Sequence, residues 1–100
     1  MDARYFNASI ASPSDGALLN RSWVQVTWTT NADLGSLQAI DVYVDGAYAA
    51  DATGQPGALL TNLTEGPHAI LVVITDFVGN EASASVNLTV DTVPPTVRIL

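Results

Sequence analysis

The chain has 100 residues, 48% of them hydrophobic and only 13% charged, enough for one domain that buries a core unaided but with little margin. Eight Asp and two Glu stand against three Arg and no Lys, and the net charge of −7 speaks against nucleic acid or an anionic membrane surface as partner, since both need a basic face. There are no cysteines, which fits a reducing compartment and a secreted prokaryotic protein alike, and no apolar run approaches the roughly 20 residues that cross a bilayer.

In chain order, residues 1–6 read as a frayed lead-in without the apolar centre of a signal peptide. Asn7–Ala11 is a short first strand, broken by the turn formers Ser12-Pro13-Ser14-Asp15-Gly16. Arg21–Thr30 is the second strand, with Val24, Val26 and Trp28 on one face and Trp23, Gln25 and Thr27 on the other. After the polar loop Asn31–Ser36, Leu37–Val44 alternates again, with Ile40, Val42 and Val44 inward and Asp41 and Tyr43 outward. Asp45-Gly46 predicts a two-residue hairpin, because a type I′ turn needs positive φ at both central positions. Tyr48–Asp51 is its return strand, and Gly57–Asn62 a further short strand.

The most apolar part follows. His68–Thr75 and Glu81–Val90 form a long hairpin around Asp76-Phe77-Val78-Gly79-Asn80, where Asp opens the turn and Gly closes it. Ile70, Val72 and Ile74 point one way from the first arm, and Ala84, Val86, Leu88 and Val90 one way from the second. A hairpin this apolar needs a second sheet to cover it. With about seven strands, turns at short intervals and no helical period, the pattern predicts an all-β antiparallel β-sandwich. Pro94-Pro95 bars ladder pairing, and Val97–Leu100 turns strand-like again, as Ala8–Ala11 is. This suggests a domain over 1–93 and, over 94–100, a linker and the start of a next repeat, so that the chain is a piece of something longer.

The run Leu63-x-x-Gly66-x-His68-x-Ile70-x-Val72, then Asp76-x-x-Gly79-Asn80, then Val90-Asp91 and Pro94-Pro95, resembles a bacterial or archaeal immunoglobulin-like repeat. Ser12-Pro13-x-x-Gly16 and Val42-Tyr43-Val44-Asp45-Gly46 fit the same pattern. The resemblance implies an immunoglobulin-like sandwich serving as spacer or adhesion module of a cell-surface or secreted protein, often in tandem. It implies no catalytic residue, and its neighbours would be other domains of the same chain, another surface protein or a glycan. The alternative is a carbohydrate- or protein-binding accessory domain of a secreted hydrolase, with Trp23 or Tyr43 as the contact.

Within that topology Asp15, Asp45, Glu65 and Asp91 are expected at one end, and Asp33, Asp76 and Glu81 at the other. Between successive repeats such groups would make an oxygen-rich calcium site, although no D-x-D-x-D run is present and Asp is also an ordinary turn residue. No other cofactor is expected. His68, the single histidine, reads as a hydrogen-bonded structural residue rather than a base or metal ligand. Asn7, Asn20, Asn62 and Asn87 each open an N-x-[ST] sequon where about one is expected by chance, so they are glycosylation candidates or accidents of Thr-rich strands and Asn-rich turns. Leu71 and Val73, facing out beside Tyr43, are interface candidates, as are Phe77 and Val78 at their loop tip, which are expected to touch a neighbouring loop or the preceding domain.

Overall fold

The computed structural model describes residues 7–31 and 37–92. Among the described residues eight strands form: β1 (Ala8–Ser12), β2 (Ala17–Leu19), β3 (Val24–Thr30), β4 (Leu37–Val44), β5 (Ala47–Asp51), β6 (Gly57–Leu60), β7 (Gly66–Asp76) and β8 (Glu81–Val90). They make two sheets, one of order β1-β3-β6 and one of order β2-β8-β7-β4-β5. The protein is an all-β sandwich, as its alternation predicts.

The core lies between the sheets. Val24, Val26, Trp28 and Leu60 come from the smaller sheet and meet Ile40, Val42, Ile70, Val72, Ile74, Val86, Leu88 and Val90 from the larger. Every second residue of β7 from His68 to Ile74 is buried, which is period-two patterning made physical. Trp28 escapes the cost of burying an indole N–H by donating it from Nε1 to the carbonyl of Gln55 at 3.0 Å. Gly57 lies so close to β3 that a Cβ there would stand 2.6 Å from the carbonyl oxygen of Val26.

Several features depart from the simple reading. The additional strand is β2, which pairs in parallel with β8 (Ala17 with Leu88, Leu19 with Val90) after the chain crosses from one sheet to the other. Arg21–Trp23 precedes the strand predicted to include it, whereas β7 starts earlier than predicted, at Gly66. The register of β4 against β7 shifts between Leu37 and Ala39, so that Leu37 and Ile40, three apart, both face the core. Val44, expected inward, is only half-buried at the strand's end.

The strand directions define two ends. The chain enters β1 beside the end of β3 and the β7–β8 turn, here called the leading end. It leaves β8 at the trailing end, beside the β4–β5 turn, the start of β7 and the end of β2. Asp33 and the segment 93–100, including Pro94-Pro95 and the proposed next strand, lie outside the described residues.

Candidate functional site

At the trailing end, three connections and the exit from β8 are tied by side chains reaching across sequence. Asp45 and Gly46 have φ of 54° and 83°, the turn conformation that Asp-Gly predicts. The Asp45 carboxylate faces away from its own turn: Oδ1 accepts the Ala69 N–H at 2.9 Å, and Oδ2 lies 2.7 Å from His68 Nδ1. The Ala69 N–H bond and then the His68 contact hold the Asp45 carboxyl below its ordinary range. The imidazole is buried, and its Nε2 meets the Thr64 carbonyl oxygen at 2.7 Å. That carbonyl, followed by Asp45, raises the His68 pKa. His68 is hydrogen-bonded through both ring nitrogens, as the sequence suggests.

The other acids at this end are placed where expected, and two have partners of their own. Asp15 Oδ1 accepts the Asn87 N–H at 2.8 Å, while the Gly16 N–H donates to the Asn87 carbonyl at 2.7 Å. The Glu65 carboxylate takes both the N–H and the hydroxyl of Thr92. The Asp91 N–H donates to the Leu19 carbonyl at 2.8 Å, leaving its carboxylate exposed. Among the described residues, no three Asp, Glu or His side chains stand close enough to hold one metal ion. A shallow depression of about 360 Å³ lies on this end of the larger sheet, between Gly16 and Asp45 and floored by Ala69.

At the leading end, Asp76 closes its own turn. Its Oδ1 accepts the N–H groups of Val78 and Asn80 at 3.0 and 2.8 Å, and Oδ2 the Asn80 amide at 3.0 Å. Desolvation raises the Asp76 pKa, but the bonds from Asn80, Val78 and Gly79 together outweigh it and leave the carboxyl lowered. Phe77 and Val78 stand 68% and 83% exposed at the tip of this turn. Glu81, just after the turn, is exposed.

Two further surfaces matter. On the outer face of the larger sheet, Tyr43 pairs with Tyr48 on one side and Leu71 on the other, the two rings edge-to-face at 5.8 Å. Tyr43, Leu71 and Val73 are half-buried there. On the smaller sheet a depression of about 450 Å³ is lined by Ser22, Trp23, Leu59, Thr61 and Asn62. Trp23 is 46% exposed and Leu59 55%, and the Arg21 guanidinium lies 4.5 Å from the Trp23 ring centre. This corner combines residues far apart in sequence, and only the exposed Trp23 hinted at it.

The four sequon asparagines are all exposed. Asn7 is engaged, its Oδ1 accepting the Asn31 N–H at 3.2 Å, and the Asn87 backbone is held on both sides by the Asp15-Gly16 segment. Asn20 sits in a bend, and Asn62, at φ 60°, on the rim of the Trp23 depression.

A family model described as bacterial Ig domain matches residues 7–98. Among solved structures, the fibronectin(III)-like modules of Clostridium thermocellum CbhA superpose with a TM-score of 0.77 at 15% identity, covering 88% of this chain and 99% of that one. The endo-beta-1,4-mannanase of Thermotoga petrophila superposes with a TM-score of 0.71 at 18% identity, covering 90% of this chain but only 20% of the mannanase. At these identities the likeness is one of fold. Among curated proteins none matches.

Proposed function

Since the chain belongs to the bacterial Ig domain family, we propose that it is a non-enzymatic module of an extracellular or cell-envelope protein, acting as a stiff spacer that holds its neighbours apart and in line, or as an adhesion module. The observation that carries the spacer role is where tension would act. The chain enters at one end and leaves at the other, so a pull between neighbours runs along the strands. β1 is drawn past its antiparallel partner β3. β2 and β8 are parallel neighbours, β2 pulled from its start and β8 from its end. Their hydrogen bonds then lie across the pull and are strained together rather than one at a time. Both ends are also anchored, Asn7 to Thr30 and Asn31, and Thr92 to Glu65.

Single-molecule pulling tests this. Pulled through its two termini, the domain is expected to unfold in one step at a higher force than when pulled through residues 62 and 92, a geometry that peels β8 from β7. Equal forces in both geometries would reject a tension-bearing spacer.

A second reading, a carbohydrate-recognising accessory domain of a secreted hydrolase, draws on the Trp23 depression. An exposed indole beside a leucine, an asparagine amide and two hydroxyls is the chemistry of a sugar-stacking shelf. Arg21 covers part of the ring, so a sugar must take the remaining surface or displace the guanidinium. Titration with β-1,4-linked manno- and gluco-oligosaccharides, followed by Trp fluorescence, decides it. Saturable binding lost in Trp23→Ala supports the accessory role; no response rejects it for these sugars.

A further inference from the structure

Protonation of one residue is built into the geometry of the trailing end. His68 is 8% exposed, and both its ring nitrogens end on oxygens that only accept: a carboxylate oxygen of Asp45 at Nδ1 and the Thr64 carbonyl at Nε2, each at 2.7 Å. A neutral imidazole has one N–H and one lone pair, so at one of these contacts it would set lone pair against lone pair. Only the imidazolium donates at both. The Thr64 hydroxyl, 3.4 Å from Nε2, is the group in reach that could donate to that nitrogen once its proton is gone.

The ring also stands at a junction. Asp45 belongs to the β4–β5 turn, and Thr64 to the connection before β7. The residue after Thr64 is Glu65, whose carboxylate grips the N–H and hydroxyl of Thr92 where the chain leaves the domain. Turn, ring, connection and departing chain therefore form one continuous series of contacts. Of the ionisable groups that the described residues place on the elements around the ring, only Asp45 faces it. Asp15 is turned to Asn87 and Glu65 to Thr92; β2 and the trailing half of β8 carry no ionisable side chain, and Asp91 beyond β8 is exposed.

We propose that His68 is a proton-operated latch on the trailing end: charged, it ties Thr64–Glu65 to the Asp45 turn and so holds Thr92 in place, and losing its proton loosens that hold and the joint to whatever follows. The direction of the pH response follows from the folded state's preference for the charged ring. With the His68 pKa raised above its ordinary 6.5, the latch is fully closed below that value and opens as pH rises through the raised one. The latch does not depend on whether the module is a spacer or a sugar-binding accessory.

Because the chain has one histidine, its ring protons give an unambiguous NMR titration. The expected result is an inflection above pH 6.5, with the amide resonances of Glu65 and Thr92 moving at the same inflection while Val78, at the leading end, does not. Asp45→Asn, which keeps a turn-compatible residue, should lower the inflection and uncouple Thr92 from it. An inflection at or below 6.5, or a Thr92 resonance indifferent to it, overturns the latch. The wild-type titration decides the matter even if the variant fails to fold, and it stands apart from the pulling and sugar-binding measurements.

Discussion

Two hairpin turns of this molecule begin with aspartate and use it in opposite ways. Asp76 spends its carboxylate inside its own turn, on the N–H groups of Val78 and Asn80 and the Asn80 side chain, none more than four residues away. Asp45 has little left to do in its own turn, because Gly46 and its own positive φ already satisfy the tight geometry. Its carboxylate is free to reach the neighbouring strand, to the Ala69 N–H 24 residues on and to His68. The first aspartate makes a turn self-sufficient. The second makes a turn part of the tertiary structure, and with it makes the trailing end sensitive to pH. The leading end instead projects Phe77 and Val78 into solvent from a turn held rigid by its own bonds. That is a rigid knob at one end and a networked seat at the other.

The largest expected effect sets the scale for this contrast. Val72 is fully buried beneath both ends, and Val72→Ala should cost about 2–4 kcal/mol in chemical denaturation, from lost burial plus the cavity left behind. If it cost no more than a surface change, the inward face of β7 would be misassigned and both ends with it.

Next comes Asp45→Ala. It strands the buried His68 Nδ1, removes the Ala69 bond and forces Ala to positive φ. The exposed side of the carboxylate is screened by solvent, so about 1–2 kcal/mol is expected. Asp76→Ala should cost less, since the groups it frees are exposed and water replaces the carboxylate. A larger loss at Asp76 than at Asp45 would invert the comparison.

The same contrast predicts a pH signature. Asp45, its pKa lowered, contributes as long as pH stays above about 3.8 and loses that contribution as pH falls through its folded value. His68, its pKa raised, contributes below about 6.5 and loses that as pH rises through its folded value. The melting-temperature gap between wild type and Asp45→Asn should therefore be widest between about pH 4 and 6.5 and shrink on both sides. For Asp76→Asn no closing of the gap on the alkaline side is expected. A gap flat from pH 4 to 9 at Asp45 would mean that His68 is not its partner in solution.

What the sequence made legible divides along the same line. Alternation in β4, β7 and β8 exposed the sandwich and its inward residues, because a period of two needs only neighbouring residues to be read. The Asp-x-x-Gly-Asn and Asp-Gly turns were legible for the same reason, and Gly46 and Gly79 do take positive φ, 83° and 95°. What escaped depends on partners distant in sequence. β2 is three residues long, too short to show alternation, and exists because β8 lies alongside it. Gly57 read only as the start of a short strand, yet its missing Cβ lets β6 approach Val26. The described acidic residues, Asp33 lying outside them, were assigned to the correct ends, but that Asp15, Asp45 and Glu65 bond backbone N–H groups of other segments could not be read from composition.

Asp41 supplies the smallest effect and the blank against which the two turn aspartates are judged. It sits in mid-strand, at neither end, and lies directly across from Asp51 on β5. Two carboxylates in opposed positions repel weakly, and Asp51 is already engaged, its Oδ1 accepting both the N–H and the hydroxyl of Thr53. Asp41→Asn therefore removes a repulsion without removing a bond. It should change stability by no more than about 0.5 kcal/mol, with the sign toward stabilisation. Because the repulsion acts near water, the gain should fade as salt is raised past physiological strength. A clear destabilisation, insensitive to salt, would mean that Asp41 accepts a bond of its own as Asp45 does. An aspartate in this fold would then earn its place through a distant donor even in mid-strand, and the distinction between the two ends would rest on less than the turns alone.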